Sequence, residues 1–237
     1  MSGSQIVFFD TETGGLKPEH PTIQLAAIAV RPFACAACEG SGMAPTGDSG
    51  DSCQACSGLG TGDAWVELET FERKIAFDQR QADPEALAMN HYTSEAWKDA
   101  QPEAFVVRDF AAFLDRHRSV QLISKRTGKP YRVARLGGHN VVGFDLERIA
   151  AMFKRHGTFF AIDFRTVLDT RYGAVWLFEG GAAADAPKGQ PENFKLTGLA
   201  EHFGIPTDGA HDALFDVRLS IALARRIVEL WQQPRVA

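Results

Sequence analysis

The chain has 237 residues, of which 45% are hydrophobic and 23% charged, and its net charge is −5. This composition fits one globular domain, or one domain with a small insert, and excludes a disordered or fibrous chain. No run of about 18 apolar residues occurs, which excludes a helical membrane span, and the acidic balance excludes a uniformly basic nucleic-acid coat. The opening Met1-Ser2-Gly3-Ser4-Gln5 carries no basic segment, so no secretory signal is expected and the expected location is cytoplasmic.

Taken in chain order, Gln5 to Phe9 reads as a buried strand, broken at Thr13-Gly14-Gly15. Ile23 to Val30 reads as a second strand. Trp65 to Phe77 alternates apolar and polar side chains, as a third, half-exposed strand does. Asp83-Pro84 opens a helix with Asp at the N-cap and Pro at the first position. A second helix runs from Pro102 to His117, with Phe105, Phe110, Phe113 and Leu114 on one side. Val120 to Tyr131 holds two short apolar runs around Thr127-Gly128-Lys129-Pro130, a hairpin pattern. Val133 to Gly138 reads as a strand, Phe144 to Arg155 as a helix, and Phe159 to Phe164 as the last strand. Segment 179–192, rich in Gly, Ala and Pro, reads as a flexible loop. Phe194 to Phe203 and Ala213 to Trp231 are the closing helices. Strands first, then alternation of helix and strand, predict a mixed α/β sheet flanked by helices.

All four cysteines fall in two C-x-x-C-x-G-x-G units, Cys35 to Gly42 and Cys53 to Gly60. Each unit resembles the zinc-binding repeat of DnaJ chaperones. Cys35, Cys38, Cys53 and Cys56 can close a tetrahedral four-sulfur zinc site, with disulfides or free thiols as the alternative. The intervening Met43 to Asp51 is almost devoid of apolar residues and cannot build its own core, so a metal would hold the insert together. Residues 34–62 are therefore expected to form one zinc knuckle between the second and third strands. A protein partner is a candidate ligand for this knuckle.

Three separated motifs carry the chemistry: Ile6 to Gly15 with Asp10 and Glu12, His139 to Asp145, and Ala210 to Asp216 with His211. Asp10 and Glu12 alternate along one strand and so share a face. Four carboxylates cannot share a site near neutral pH unless cations neutralise them, and hard oxygen ligands suit Mg²⁺ or Mn²⁺. His211 and Asp216 lie too far apart in helical phase to share one face, which places His211 in the loop before the helix and Asp216 within it. Asp212 reads as a charge at the helix start rather than a ligand.

Together the three motifs resemble the DEDDh family of 3′–5′ exonucleases on the RNase H-like fold, which includes epsilon-type proofreading subunits, RNase T and oligoribonuclease. The resemblance runs in order from Phe8 to about Val217. It implies one exonuclease domain over 1–237, with the zinc insert as its main departure. It implies two Mg²⁺ or Mn²⁺ ions held by Asp10, Glu12, Asp145 and Asp216, with His211 as the base that takes a proton from the attacking water. The implied product is a nucleoside 5′-monophosphate, released from a nucleic acid with a free 3′ end. Thr11, Thr13, Gly14, Asn140 and His91 are the implied substrate contacts, and a homodimer is expected by analogy. DNA is favoured as substrate. An RNase T-like or oligoribonuclease-like exoribonuclease is the alternative, and a non-catalytic nucleic-acid or protein adaptor built on the zinc knuckle is the further one.

A basic cluster is left over: Arg116-His117-Arg118, then Lys125, Arg126, Lys129, Arg132 and Arg135. It reads either as an ordinary solvated surface or as a face that follows a phosphate backbone.

Overall fold

A computed structural model describes residues 5–43, 51–56, 59–60, 62, 64–180 and 189–232. Strands β1 (Ile6–Thr13), β2 (Thr22–Ala34) and β3 (Ala64–Lys74) form an antiparallel meander. The chain then runs through α1 (Pro84–Met89) and α2 (Glu103–Arg116) to a separate hairpin, β4 (Val120–Ile123) and β5 (Pro130–Val133). Strand β6 (Leu136–Gly138) pairs parallel with β1, and β7 (Leu168–Asp169) pairs parallel with β6. The five-stranded sheet has the order β3-β2-β1-β6-β7. Helices α3 (Asp145–Arg155), α4 (Thr170–Phe178), α5 (Leu196–His202) and α6 (Ala213–Gln232) complete the chain.

Strand β1 is central and buried on both faces, which accounts for its nearly continuous apolar run. Val7 and Phe9 join a core with Val107, Phe110 and Phe113 of α2 and with Ile149 and Phe153 of α3. Ile6 and Phe8 point the other way, into a core closed by Ala213, Val217 and Ile221 of α6. This alternation positions the site. Even-numbered residues of β1 look toward α6, and odd-numbered ones toward α2 and α3.

Two expected elements differ. Residues 133–138 do not form one strand. The chain breaks at Ala134 and Arg135, so that β5 pairs within the hairpin and β6 pairs with β1. The last strand lies at Leu168–Asp169 instead of 159–164. Phe160, Ala161 and Ile162 are buried as their apolar character demands, but they make only an isolated bridge to Ala134. Asp163 then turns the chain, accepting from the Arg165 N–H at 3.1 Å and the Thr166 hydroxyl at 2.7 Å. Helix α4 is additional to the elements read from sequence. Its signal is a cap: Asp169 accepts from the Arg171 N–H at 3.0 Å. Asp83 caps α1 as expected, accepting from the Glu85 N–H at 3.0 Å. The 179–192 loop falls largely on 181–188, outside the described residues.

Candidate functional site

The end of β1, the segment after β6 and the start of α6 converge on an open cleft of about 760 Å³. Asp10 and Glu12 reach it from the even side of β1, and Asp216 reaches it from the first turn of α6. One carboxylate oxygen from each of the three lies within 4.8 Å of the others. Asp145, at the start of α3, is tied to the odd side of the strand. It accepts from the Thr11 N–H at 3.2 Å and from the Thr11 hydroxyl. Thr11 therefore acts as a strut that brings the fourth carboxylate around the strand end to the cleft.

The electrostatics of this cluster are severe. Burial pushes Glu12 up to about 8, and repulsion from Asp216, Asp145 and Asp212 adds to it. Asp10 is driven well above the carboxylate range by burial and then by Asp145, Glu12 and Asp216. Burial raises Asp145 to about 7 against the opposing hydrogen bonds from Thr11, and raises Asp216 to about 6 against the His211 N–H. Asp216 Oδ1 is also buried with no hydrogen-bond partner among the described residues. Four desolvated, mutually repelling carboxylates with an orphaned oxygen form a donor set suited to divalent cations of the Mg²⁺ or Mn²⁺ type.

His211 occupies the loop before α6 and is exposed. Its backbone is left-handed, with φ 71°, and its N–H donates to Asp216 Oδ2 at 3.3 Å. Asp212 caps α6 by accepting from the Phe215 N–H at 3.0 Å. Its other oxygen accepts from Gln24 Nε2 at 3.2 Å. Buried Gln24 sits opposite Glu12 in the strand register and also donates to Glu72 at 3.1 Å. It thus fixes the start of α6 against the sheet. Sequence reasoning missed Gln24, whose only signal is a polar residue inside an apolar strand.

The remaining expected site residues divide. Thr11 and Asn140 line the cleft, with Asn140 also left-handed at φ 59°. Thr13, Gly14 and His91 are not among its lining residues. Gly14 is structural: its N–H donates to Pro21 O at 2.8 Å, and a Cβ there would lie 2.7 Å from the Ala82 Cβ. Buried Asn90 donates to Thr13 O at 2.9 Å, leaving its neighbour His91 exposed. His139 is a buried tie between Thr170 Oγ1 at 2.9 Å and Phe194 O at 3.1 Å. Burial lowers it to about 4 and keeps it neutral.

Arg171, Lys195 and Leu16 also line the cleft from outside the three motifs, and Phe144 lines it from within the second. The Arg171 guanidinium is held by Asn140 Oδ1 at 2.8 Å. Leu16 is 83% exposed. Phe144 is half-buried under the Arg148 guanidinium rather than in the core, the place its apolar character predicts.

The cysteine insert follows β2. Cys35, Cys38, Cys53 and Cys56 are buried against one another as free thiols, with Cys35 to Cys53 at 4.0 Å and Cys38 to Cys56 at 3.8 Å between sulfurs. A tetrahedral zinc with Zn–S near 2.3 Å requires sulfurs about 3.8 Å apart. The two units are reciprocal. The Gly42 and Gly60 N–H groups donate to Cys38 and Cys56 sulfurs at 3.3 and 3.2 Å. Each unit's last Gly carbonyl accepts from the first Cys N–H of the other, at 2.8 and 2.9 Å. Gly60 adopts φ 71°, and a Cβ there would lie 2.5 Å from Gly40 O. The four-sulfur shell suits a structural Zn²⁺ and leaves no position for water.

Purified protein is therefore expected to carry about one zinc per chain by metal analysis. Cys56→Ser should lose that zinc while the far-UV circular dichroism of the sheet and helices is kept, because the cluster contributes nothing to either main core. Zinc-free wild type of full stability would remove the assignment.

A scan against protein-family models finds no match, and no curated protein matches the sequence. Solved structures do match. A zinc-bound Exonuclease I–ssDNA complex from E. coli aligns with a TM-score of 0.63 at 19% identity, over 97% of this chain and 41% of that one. E. coli Exonuclease I with a dT13 oligonucleotide aligns with a TM-score of 0.60 at 18% identity, over 94% and 41%. Exonuclease I from Methylocaldum szegediense gives 0.60 at 17% identity, over 98% and 41%. The chain spans about two fifths of the length of these proteins. It thus has the mixed α/β fold of the matched part of Exonuclease I, with a cysteine cluster between its second and third strands.

Proposed function

We propose that this protein is a metal-dependent 3′–5′ exonuclease that releases nucleoside 5′-monophosphates from single-stranded DNA. The observation that carries this reading is the convergence of Asp10, Glu12, Asp145 and Asp216 on one cleft, with oxygens of Asp10, Glu12 and Asp216 within 4.8 Å of one another. An adaptor has no use for four desolvated carboxylates. Exonuclease I structures of the same fold contain single-stranded DNA, which supports the choice of substrate.

Asp10, Glu12, Asp145 and Asp216 would hold the divalent cations, which when bound supply an activated water and offset charge on the phosphate. His211 accepts the proton of the attacking water. Its backbone link to Asp216 anchors residue 211 at the rim of the cleft that the carboxylates line. Arg171, oriented by Asn140, and Lys195 hold phosphates of the bound strand. Leu16 and Phe144 offer apolar surface to the terminal bases.

Polarity is tested with labelled oligonucleotides in Mg²⁺. A 5′-labelled DNA strand should shorten as a ladder, and a 3′-terminal phosphate should block it while a 5′ block does not. Mononucleotide release from a 3′-blocked strand would refute the polarity. The same assay on RNA separates the deoxyribonuclease reading from the exoribonuclease one.

A further inference from the structure

The basic cluster seen in sequence divides in three dimensions. Arg116 is bound to Glu69 at 2.5 Å and Arg118 to Asp115, so both are spent on the protein's own carboxylates. Lys125, Arg126 and Lys129, at the turn between β4 and β5, are exposed and form no ion pair among the described residues. Across an open groove of about 920 Å³ they meet Arg165 from the segment before β7. The one carboxylate among the lining residues, Asp163, is buried and already accepts from the Arg165 N–H and the Thr166 hydroxyl. The groove therefore presents four cations and no free anion on a chain of net charge −5.

Its apolar lining is aromatic and exposed. Phe159 is 69% exposed, Phe164 55% and Tyr131 39%. Aromatic faces interleaved with unpaired cations match bases and phosphates of an unpaired strand better than the side chains of an acidic peptide. The turn is held in shape by Ser124 N–H to Lys129 O at 3.0 Å and Gly128 N–H to Ser124 O at 2.8 Å, so the cations are presented from an ordered loop.

The groove is not part of the catalytic cleft. The cleft lies past the end of β6, whereas the hairpin precedes its start. Ser119, just before β4, donates to Gln5 O at the opening of β1, while Glu12 is near that strand's far end. At the ordinary strand rise Gln5 and Glu12 are on the order of 20 Å apart along β1, and the two sets of lining residues share no member. We infer that this groove is a second nucleic-acid site, which grips a single strand through its phosphates and bases and retains long substrates. The retention role rests on the exonuclease reading, whereas the binding does not.

The test is anisotropy of a labelled single-stranded DNA of about 30 nucleotides with the full chain in EDTA, where no cleavage occurs. Lys125→Glu with Lys129→Glu should weaken binding at least about tenfold and lower the salt slope by about 1.4, at about 0.7 for each phosphate that is no longer neutralised. Phe159→Ala should weaken binding several-fold and leave the slope unchanged. Circular dichroism should be unaltered, since these residues are exposed. In Mg²⁺, hydrolysis of a trinucleotide should proceed at the wild-type rate in these variants, because so short a strand cannot span both sites. Wild-type affinity in the variants would overturn the proposal, as would stronger competition by polyglutamate than by an unlabelled strand, which would mark an acidic protein partner. Groove-dependent DNA binding by a wild-type chain that cleaves nothing would uphold the groove and sink the exonuclease reading.

Discussion

Asp10→Ala is expected to abolish nucleotide release and, at about pH 8, to raise the melting temperature of the metal-free protein. Asp10 is the carboxylate that all the others crowd: Asp145, Glu12 and Asp216 each push it further above its ordinary range. Removing it relieves repulsion and deletes one of the cation-holding groups. The pH dependence follows from the raised values. A carboxyl whose folded pKa exceeds its unfolded one binds its proton more tightly in the folded state. Its contribution is complete below the unfolded value and is lost as pH climbs through the folded value. Asp216 at about 6, Asp145 at about 7 and Glu12 at about 8 therefore place the loss between about pH 4 and pH 8. His139 has the opposite sign: lowered from 6.5 to about 4 by burial, it stabilises above the first value and loses that effect toward the second. The carboxylate contribution is accordingly read as the difference between wild type and Asp10→Ala. Thermal melts across this range in EDTA should show the two proteins diverging as pH rises. Mg²⁺ or Mn²⁺ should restore wild type far more than the variant. Equal metal-induced shifts in both, or retained nuclease activity in Asp10→Ala, would contradict the assignment.

His211→Asn should lower kcat by roughly 10²–10⁴-fold, the range for a lost general base, with KM for a short oligonucleotide little changed. Asn is chosen because position 211 is left-handed, a conformation Asn tolerates better than Ala. Only the 211 backbone reaches Asp216, so the hydrogen bond to that carboxylate persists in the variant. The metal-induced rise in melting temperature should therefore be retained, which separates a lost base from a damaged carboxylate cluster. A rate within a factor of a few of wild type in single-turnover measurements would remove His211 from the reaction.

Asp10 and Glu12 were legible as a pair because their spacing is local, whereas Asp145 and Asp216 joined them only through the resemblance that the three motifs carry together. A strand of period two places Asp10 and Glu12 on one side whatever the rest of the chain does. The helix phase of His211 and Asp216 separates loop from helix in the same way, and the reciprocal glycines make the cysteine units readable as metal-binding turns. The antiparallel meander, α2, α3 and α6 followed from apolar periodicity, which reports burial directly. What failed was of another kind. Strand β7 is two residues long, too short for any period, and the buried apolar run of 160–162 imitated a strand where tertiary packing required only a bridge. Gln24, Arg171, Lys195 and Leu16 take their places in and around the cleft from segments with no motif, brought there by sheet order and crossover connections. The sorting of the cations into Arg116 and Arg118, which are paired, and Lys125, Arg126 and Lys129, which have no ion pair among the described residues, was also undecidable from the chain alone. The sequence by itself determined which groups can carry chemistry, since residue type and local period are written along it. Tertiary structure alone decided which charges meet, because Coulomb interaction and desolvation depend on distance and burial in space.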